Sequence, residues 1–399
     1  MHIIFTMRLR ILLSAVLFSC TVSSAVYANN SDTTAGQVRI AVIAPLYLDS
    51  AFSGTYYRLP KTSIPKFFLP GLEFYNGVMM AIDSLKKEGA DMEVWIFDSQ
   101  KKNQSLQSLC GEMKGLNLSM IIASFSSSTE QKAISDFSLQ NSIPVISATF
   151  PNNTYITGNP FFAMVNPTWK THVDAIAKYI AQNGTGKNIV LITRSGSMED
   201  KIMQQLKNNG SKTELPSFKT VTVRDNVSDS DVVTNLDSNK NNMIICGSLN
   251  ETFGKNLVKV LNTAGKNFVI EAVGMPTWNG MGGTSGKASQ NISVTITTPY
   301  NYQRSNSRIA TLSKNYKAKY NASPGDMVFK GYESVYHFTK LLIANPGNFI
   351  NNISGSSYSV TNIFNFQPVK NNGSLVPDYL ENKKLYIIKM VNGQVQAVN

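Results

Sequence analysis

The chain has 399 residues, 42% hydrophobic and 16% charged, with 37 Lys and Arg against 25 Asp and Glu, a net charge of +12. The length exceeds what one core usually serves, so two lobes are expected, and 20 Phe and 16 Tyr spread along the sequence exclude a disordered chain. The basic excess does not point to nucleic acid, because the Lys residues are dispersed among Asn and Ser and no nucleic-acid motif is present.

The first residues have the pattern of an export signal. Arg8 and Arg10 precede a short apolar run, Ile11–Phe18, and Val26-x-Ala28 supplies the small residue a signal peptidase needs. The run is too short to span a bilayer, which takes about 20 residues. Leu17, Phe18 and Ser19 before Cys20 loosely resemble a lipoprotein box, but Phe18 is bulky for it, so cleavage after Ala28 is favoured over lipid attachment at Cys20. Cleavage removes two Arg and no acid, leaving a net charge of +10. The two remaining cysteines, Cys110 and Cys246, each sit in an apolar pattern and are expected to be free thiols.

From Val38 onward, short β-rich runs alternate with amphipathic stretches. Val38–Leu46 is almost continuously apolar, as suits a strand covered on both faces. An aromatic excursion, Tyr47–Pro70, leads to a helix over Gly71–Gly89 with Leu72, Tyr75, Val78, Met79, Ile82 and Leu85 on one stripe. Strands follow at Met92–Phe97, Leu118–Phe125 and Ile143–Ala148, with helices at Leu106–Leu116 and Glu130–Asn141. A second series has helices at Trp169–Asn183, Glu199–Asn209, Asp229–Ser238 and Phe253–Gly265. Its strands are Lys187–Thr193, Phe218–Val223, Asn242–Gly247 and Asn267–Val273. After the Gly280–Gly286 loop come a strand at Ser293–Pro299 and helices at Ser305–Tyr320 and Asp326–Ala344. The tail holds strands near Ile363–Phe366 and Leu385–Val391, with a turn at Asn392-Gly393. This alternation predicts an α/β protein of two doubly wound, Rossmann-like sheets.

In such sheets ligands collect beyond the strand ends, at the topological switch. Two places there are rich in hydroxyls: Ser126, Ser127, Ser128 and Thr129 before one helix, and Ser147, Ala148 and Thr149 after the next strand. Hydroxyls beside free helix amides make a cradle for a carboxylate. Ordinary N-capping needs only one of them. Catalysis has little support: His172 and His337 lie inside helical patterns, and HExxH, CxxC, GxSxG and a phosphate-binding glycine loop are all missing. Asp98, alone at a strand end, suits a cap. No metal or cofactor is expected.

The order of segments resembles the type I periplasmic binding proteins, especially the branched-chain amino-acid receptor group. The resemblance rests on IAVIAPL, GLEFYNGVMMAIDSL, SFSSSTEQKA, NSIPVISATFPN, FFAMVNPTWKTHVDAIAKYI, ITTPYNY, DMVFKGYESVYHFTKLL and the closing YLENKKLYIIKMVNGQVQ, and spans most of the mature chain. The Tyr47–Pro70 insertion is similar to members of the group from Bacteroidetes. The resemblance implies a periplasmic clamshell: a first lobe over residues 38–150 plus 295–351, a second over 151–294 plus 352–399, and three hinge strands. It also implies that Ser127, Ser128 and Ser147 to Thr149 take a ligand carboxylate, and Met198, Ser248 and Trp278 are the contacts expected from the second lobe. Trp278 equally suits a packing role near the hinge.

The second lobe departs from the group's pattern. Where amino-acid receptors carry an aromatic and an acid, this chain has Gly196-Ser197-Met198 and Gly274-Met275-Pro276-Thr277-Trp278. A ligand ammonium would lack its counter-charge, which argues against a standard α-amino acid. The resulting expectation is a solute receptor that is not an enzyme, closing on a small polar, carboxylate-bearing molecule and docking with a membrane permease or sensor. The rival is an envelope scaffold or regulator of the same fold, resembling the lipoproteins that activate peptidoglycan synthases.

Overall fold

The computed structural model describes residues 37–60, 63–150, 156–210, 214–224, 226–278, 291–303, 305–370, 374–391 and 394–398. The expected leader with Cys20, the Gly280–Gly286 loop and the Asn392-Gly393 turn lie outside the described residues.

The apolar run at Val38–Leu46 becomes β1 (Val38–Ala44), and its side chains divide between two cores. Ile40, Val42 and Ala44 face one, Ala41 and Ile43 the other, so both faces of the strand are covered. β1 lies next to one edge strand in a seven-stranded sheet with β4 (Met92–Asp98), β5 (Met120–Ala123), β6 (Val145–Ser147), β7 (Phe162–Met164), β13 (Phe366–Val369) and β14 (Tyr379–Asn382), in the order β13-β14-β7-β6-β5-β1-β4. A second sheet has the order β16-β15-β12-β11-β10-β8-β9. It comprises β8 (Asn188–Arg194), β9 (Lys219–Val223), β10 (Asn242–Cys246), β11 (Ile270–Val273), β12 (Ile292–Thr298), β15 (Tyr386–Val391) and β16 (Gln394–Val398). A further hairpin, β2 (Phe52–Ser53) with β3 (Tyr56–Tyr57), lies in the aromatic excursion.

Five strands of each sheet follow one plan. β4, β1, β5, β6 and β7 run parallel in the first, as β9, β8, β10, β11 and β12 do in the second. In each case the winding reverses beside the first strand, between β1 and β5 and between β8 and β10. These are the two switch points.

Against the first sheet, the Leu69–Lys87 and Asp326–Ala344 helices cross closely because each is glycine at the contact. A Cβ on Gly77 would lie 2.0 Å from the Val328 carbonyl oxygen, and one on Gly331 2.2 Å from that of Phe74.

Strand membership differs from the sequence expectation in the tail, which was placed whole with the second lobe. β13 and β14 join the first sheet and only β15 and β16 join the second. β12, expected to divide between lobes near residue 294, pairs throughout with second-sheet strands. β7, a three-residue strand in a segment expected to belong to the second lobe, closes the parallel part of the first. The chain thus passes between sheets three times, after β7, after β12 and after β14, in each case from the C-terminal end of a strand. Both sheets therefore present their C-terminal edges to the hinge.

Buried carboxylates hold these crossings. Glu381, 1% exposed, accepts from the Thr168 backbone N–H (2.7 Å), the Thr168 hydroxyl (2.9 Å), the Thr171 hydroxyl (2.7 Å) and Lys383 Nζ (2.6 Å). The neighbouring Asn382 donates to the Val165 carbonyl at 3.1 Å. Glu333, also 1% exposed, accepts from the backbone N–H groups of Thr361 and Asn362 at 3.0 and 2.8 Å, and Asn362 accepts from Asn301 N–H at 2.7 Å. His172 Nδ1 lies 2.8 Å from the Thr297 hydroxyl, and burial lowers its pKa to about 3.

A third buried acid braces the second sheet. Glu271 accepts from Lys187 Nζ (2.7 Å), Lys389 Nζ (3.1 Å), the Thr295 hydroxyl (3.0 Å) and the Tyr179 hydroxyl. Burial alone would raise its pKa, but the hydrogen bonds from Lys187 and Tyr179 and the charges of Lys389 and Lys187 bring it down to about 2. A carboxyl held below its ordinary value adds stability above that value and loses it as pH falls towards 2, an effect on the order of 3 kcal/mol. Urea denaturation should therefore show Glu271→Gln less stable than the parent by about that amount at pH 7, with the gap closing towards pH 2. A gap independent of pH would contradict this account.

Candidate functional site

At the first switch point the chain must leave β1 and β5 without burying unpaired amides. Asp98, at the end of β4, meets part of this need. Its carboxylate accepts from the backbone N–H groups of Leu46 (2.9 Å), Tyr47 (3.1 Å), Leu48 (2.7 Å) and Gln100 (2.9 Å). Asp98 is a cap, as its isolation suggested, but it anchors the aromatic excursion and not the next helix.

The hydroxyl cluster after β5 divides between structural and open roles. The Ser126 N–H and hydroxyl both donate to Glu130 Oε2, at 2.9 and 2.7 Å, and its Oγ accepts from Gln100 Nε2 at 2.9 Å. Ser127 caps the Ser128–Asn141 helix by accepting from Glu130 N–H at 3.2 Å. Ser127, Ser128 and Thr129 are exposed, and Ser128 and Thr129 form the first turn of that helix. Glu130 itself is 1% exposed, and burial raises its pKa.

Beside the cluster, Thr149 is half-buried and pairs hydroxyl to hydroxyl with Ser124 at 2.9 Å, joining the ends of β5 and β6. Asn166 Nδ2 donates to the Thr149 carbonyl at 3.1 Å. Ala148 is fully buried, and its carbonyl accepts from the Tyr300 hydroxyl at 2.5 Å. That bond ties the end of β6 to the chain leaving β12. Ser147 is also fully buried, with Gln131 Nε2 at 3.5 Å.

The second switch point is chemically different. Thr193 at the end of β8 donates to the Gly247 carbonyl at 3.0 Å. Ser248 is fully buried and donates to Glu199 Oε1 at 2.6 Å while accepting from Asn250 N–H at 3.1 Å. Glu199 is 7% exposed and pairs with Arg194 Nε at 3.2 Å. Burial pushes the adjacent Cys246 thiol up to about 12, which keeps it protonated; both Cys110 and Cys246 are free. Met198 is half-buried and packs on the apolar cluster between this sheet and its helices.

Trp278 lies against Cys246 at this end of the sheet but presents no surface. Its side chain is fully buried in the core of the second sheet, directly over Gly274, where a Cβ would meet the ring at 2.4 Å. Of the ten residues singled out by sequence, seven surround the first switch point, Met198 and Ser248 flank the second, and Trp278 sits in the core. Sequence reasoning missed Ser124, Asn166, Arg194 and Glu199. The signal for Glu199 was its place three residues into a helix that follows a strand, one turn from an arginine.

Among the described residues no group of three His, Cys, Asp or Glu is placed to hold a metal, and no helix is long and apolar enough to cross a membrane. The sequence profile of the family described as periplasmic binding protein matches residues 67–348, well over half the chain. The chain belongs to that family, whose members are solute-binding receptors and not enzymes. No curated protein sequence matches it.

Solved structures share the fold at low identity. A putative branched-chain amino acid ABC transporter protein from Rhodospirillum rubrum superposes with a TM-score of 0.64 at 14% identity, over 91% of this chain and 100% of that one. The branched-chain amino acid transporter substrate binding protein of Streptococcus pneumoniae, in complex with isoleucine, gives 0.55 at 14% identity over 91% and 99%. A solute binding protein from R. palustris, in complex with benzoate, gives 0.52 at 12% over 91% and 96%. The fold is thus that of a two-lobed type I periplasmic binding protein.

Glu199 is buried while Arg194 is 30% exposed, so removing the arginine strands a buried carboxylate. A double-mutant cycle on Arg194→Met and Glu199→Gln, read by urea denaturation, should give a coupling of about 1 kcal/mol or more. Additive single losses would mean that the pair does not hold the second switch point.

Proposed function

We propose that this protein is a receptor that closes its two lobes on a small polar, carboxylate-bearing solute and delivers it to an ABC-type permease. One observation carries the reading. Ser127, Ser128 and Thr129 stay exposed at the start of a 14-residue helix, beside the switch point of the first sheet. Free amides of a first helical turn, flanked by hydroxyls, suit an anion without introducing a counter-charge. The Ser124–Thr149 hydroxyl pair extends this surface across β5 and β6.

In this reading the first lobe is the sheet containing β1 with the Asp326–Ala344 helix, and the second is the sheet containing β8. Met198 stands nearest the ligand from the second lobe, whereas Ser248, fully buried and bonded to Glu199, and Trp278 support that lobe from within. The Glu199–Arg194 pair bears on ligand choice. Glu199 is a buried acid at the second switch point, but Arg194 already neutralises it. It therefore offers an incoming ammonium less than a free carboxylate would, which favours a carboxylic acid over a zwitterion.

Ligand binding to the folded state raises the melting temperature by mass action. In a thermal-shift panel of aliphatic and aromatic carboxylic acids, amino acids and nucleosides, at least one carboxylic acid should raise the melting temperature. The rise should be lost in Ser127→Ala/Thr149→Ala. A panel in which only ligands without a carboxylate shift the transition would overturn the proposal.

A further inference from the structure

A second cavity lies on the flank of the first lobe, between the Leu69–Lys87, Ser307–Tyr320 and Asp326–Ala344 helices and residues 357–360. Its volume is about 470 Å³, within the roughly 300–1,000 Å³ range of small-molecule sites. The Leu69–Lys87 helix starts near the hinge edge of the sheet. Ser84 in the cavity wall is therefore about 22 Å further along it, at ~1.5 Å per residue, and the cavity is separate from the site described above.

The wall is built for a polar ring. Tyr332 and Tyr336 lie parallel, 5.6 Å apart at 10°, and both hydroxyls are tied down, to Ser84 at 3.1 Å and to Glu88 at 2.8 Å. The rings are thus fixed before any ligand arrives, which lowers the ordering cost of binding. Around them stand Thr311, Asn315 and Ser357, a mixture of rigid aromatic and small hydrogen-bonding groups. Ser359 Oγ, shut off from solvent, has no hydrogen-bond partner among the described residues.

Charge narrows the choice. No acid is among the described residues that line the cavity, and its two cations differ. Lys340 is paired with Glu88 at 2.7 Å. Arg308 is held by the carbonyls of Ser359 (2.6 Å) and Val360 (3.2 Å) through Nη1 alone, with no carboxylate partner among the described residues. One uncompensated guanidinium matches one anionic group.

From these features we infer that the cavity binds an acidic sugar, a pyranose bearing a carboxylate. Its C–H face lies against Tyr332 and Tyr336, its hydroxyls bond to Thr311, Asn315 and Ser357, and its carboxylate pairs with Arg308. An apolar aromatic acid would leave the hydrogen-bonding groups unpaired.

Saturation-transfer NMR and calorimetry on the full mature chain, with methyl β-D-glucuronide and methyl β-D-glucoside as probes, test the inference. The glucuronide should bind about tenfold more tightly, as one charge-assisted hydrogen bond warrants. Arg308→Gln should erase that preference. Thr311→Trp, at an exposed helical position, should fill the cavity and abolish both signals at unchanged melting temperature. Ser127→Ala/Thr149→Ala should bind the glucuronide as the parent does, which separates this result from the fate of the hinge-edge site. Silence towards both sugars, or a preference that survives Arg308→Gln, would overturn the inference.

Discussion

The constraint on which the architecture depends is the need to satisfy backbone groups where the chain passes between sheets. Crossing segments are irregular and partly buried at the hinge, so no strand ladder serves their N–H groups. Two carboxylates do so. Glu381 gathers the start of the Trp169–Asn183 helix onto the chain leaving β14. Glu333 draws residues 361–362 onto the Asp326–Ala344 helix, and Asn362 passes the tie to Asn301 after β12. Asn382, beside Glu381, accepts from Asn365 N–H at 2.9 Å, so the three crossings are bound to one another. Under the proposed function, closure would be a rotation about a fixed set of tethers, the hinge mode of domain movement.

With the crossings all at C-terminal edges, the two switch points fall on the surfaces that closure brings together, and they are not equivalent. The first leaves hydroxyls and helix amides open. The second has consumed its own polar groups in the Arg194–Glu199–Ser248 cluster. A ligand's charge would thus be met mainly by the first lobe. The second contributes shape and a few neutral contacts, and ligand discrimination rests on what its closed pair refuses to accept.

Much of this was legible in the sequence because it is written locally. The two-faced burial of β1 follows from an unbroken apolar run, and the hydroxyl cluster is visible as four adjacent residues. What stayed hidden depends on distance along the chain. β7 and β14 have three and four residues and pair with each other across more than 200 positions, a contact that no local periodicity encodes. The Glu199–Ser248 bond joins residues 49 apart. By its position Trp278 suited a ligand contact and a packing role equally. Gly274 instead makes room for the ring inside the core.

The central claim is that ligand binding draws the two switch points together about a pinned hinge. The most direct measurement is the distance between spin labels at Lys101→Cys and Arg224→Cys, exposed residues just beyond β4 and β9 and outside the proposed ligand site, in a chain whose half-buried Cys110 is replaced by serine. Addition of a carboxylic acid that raises the melting temperature should shorten that distance, while a label pair within the first lobe stays constant. An unchanged distance at saturating ligand would contradict the account.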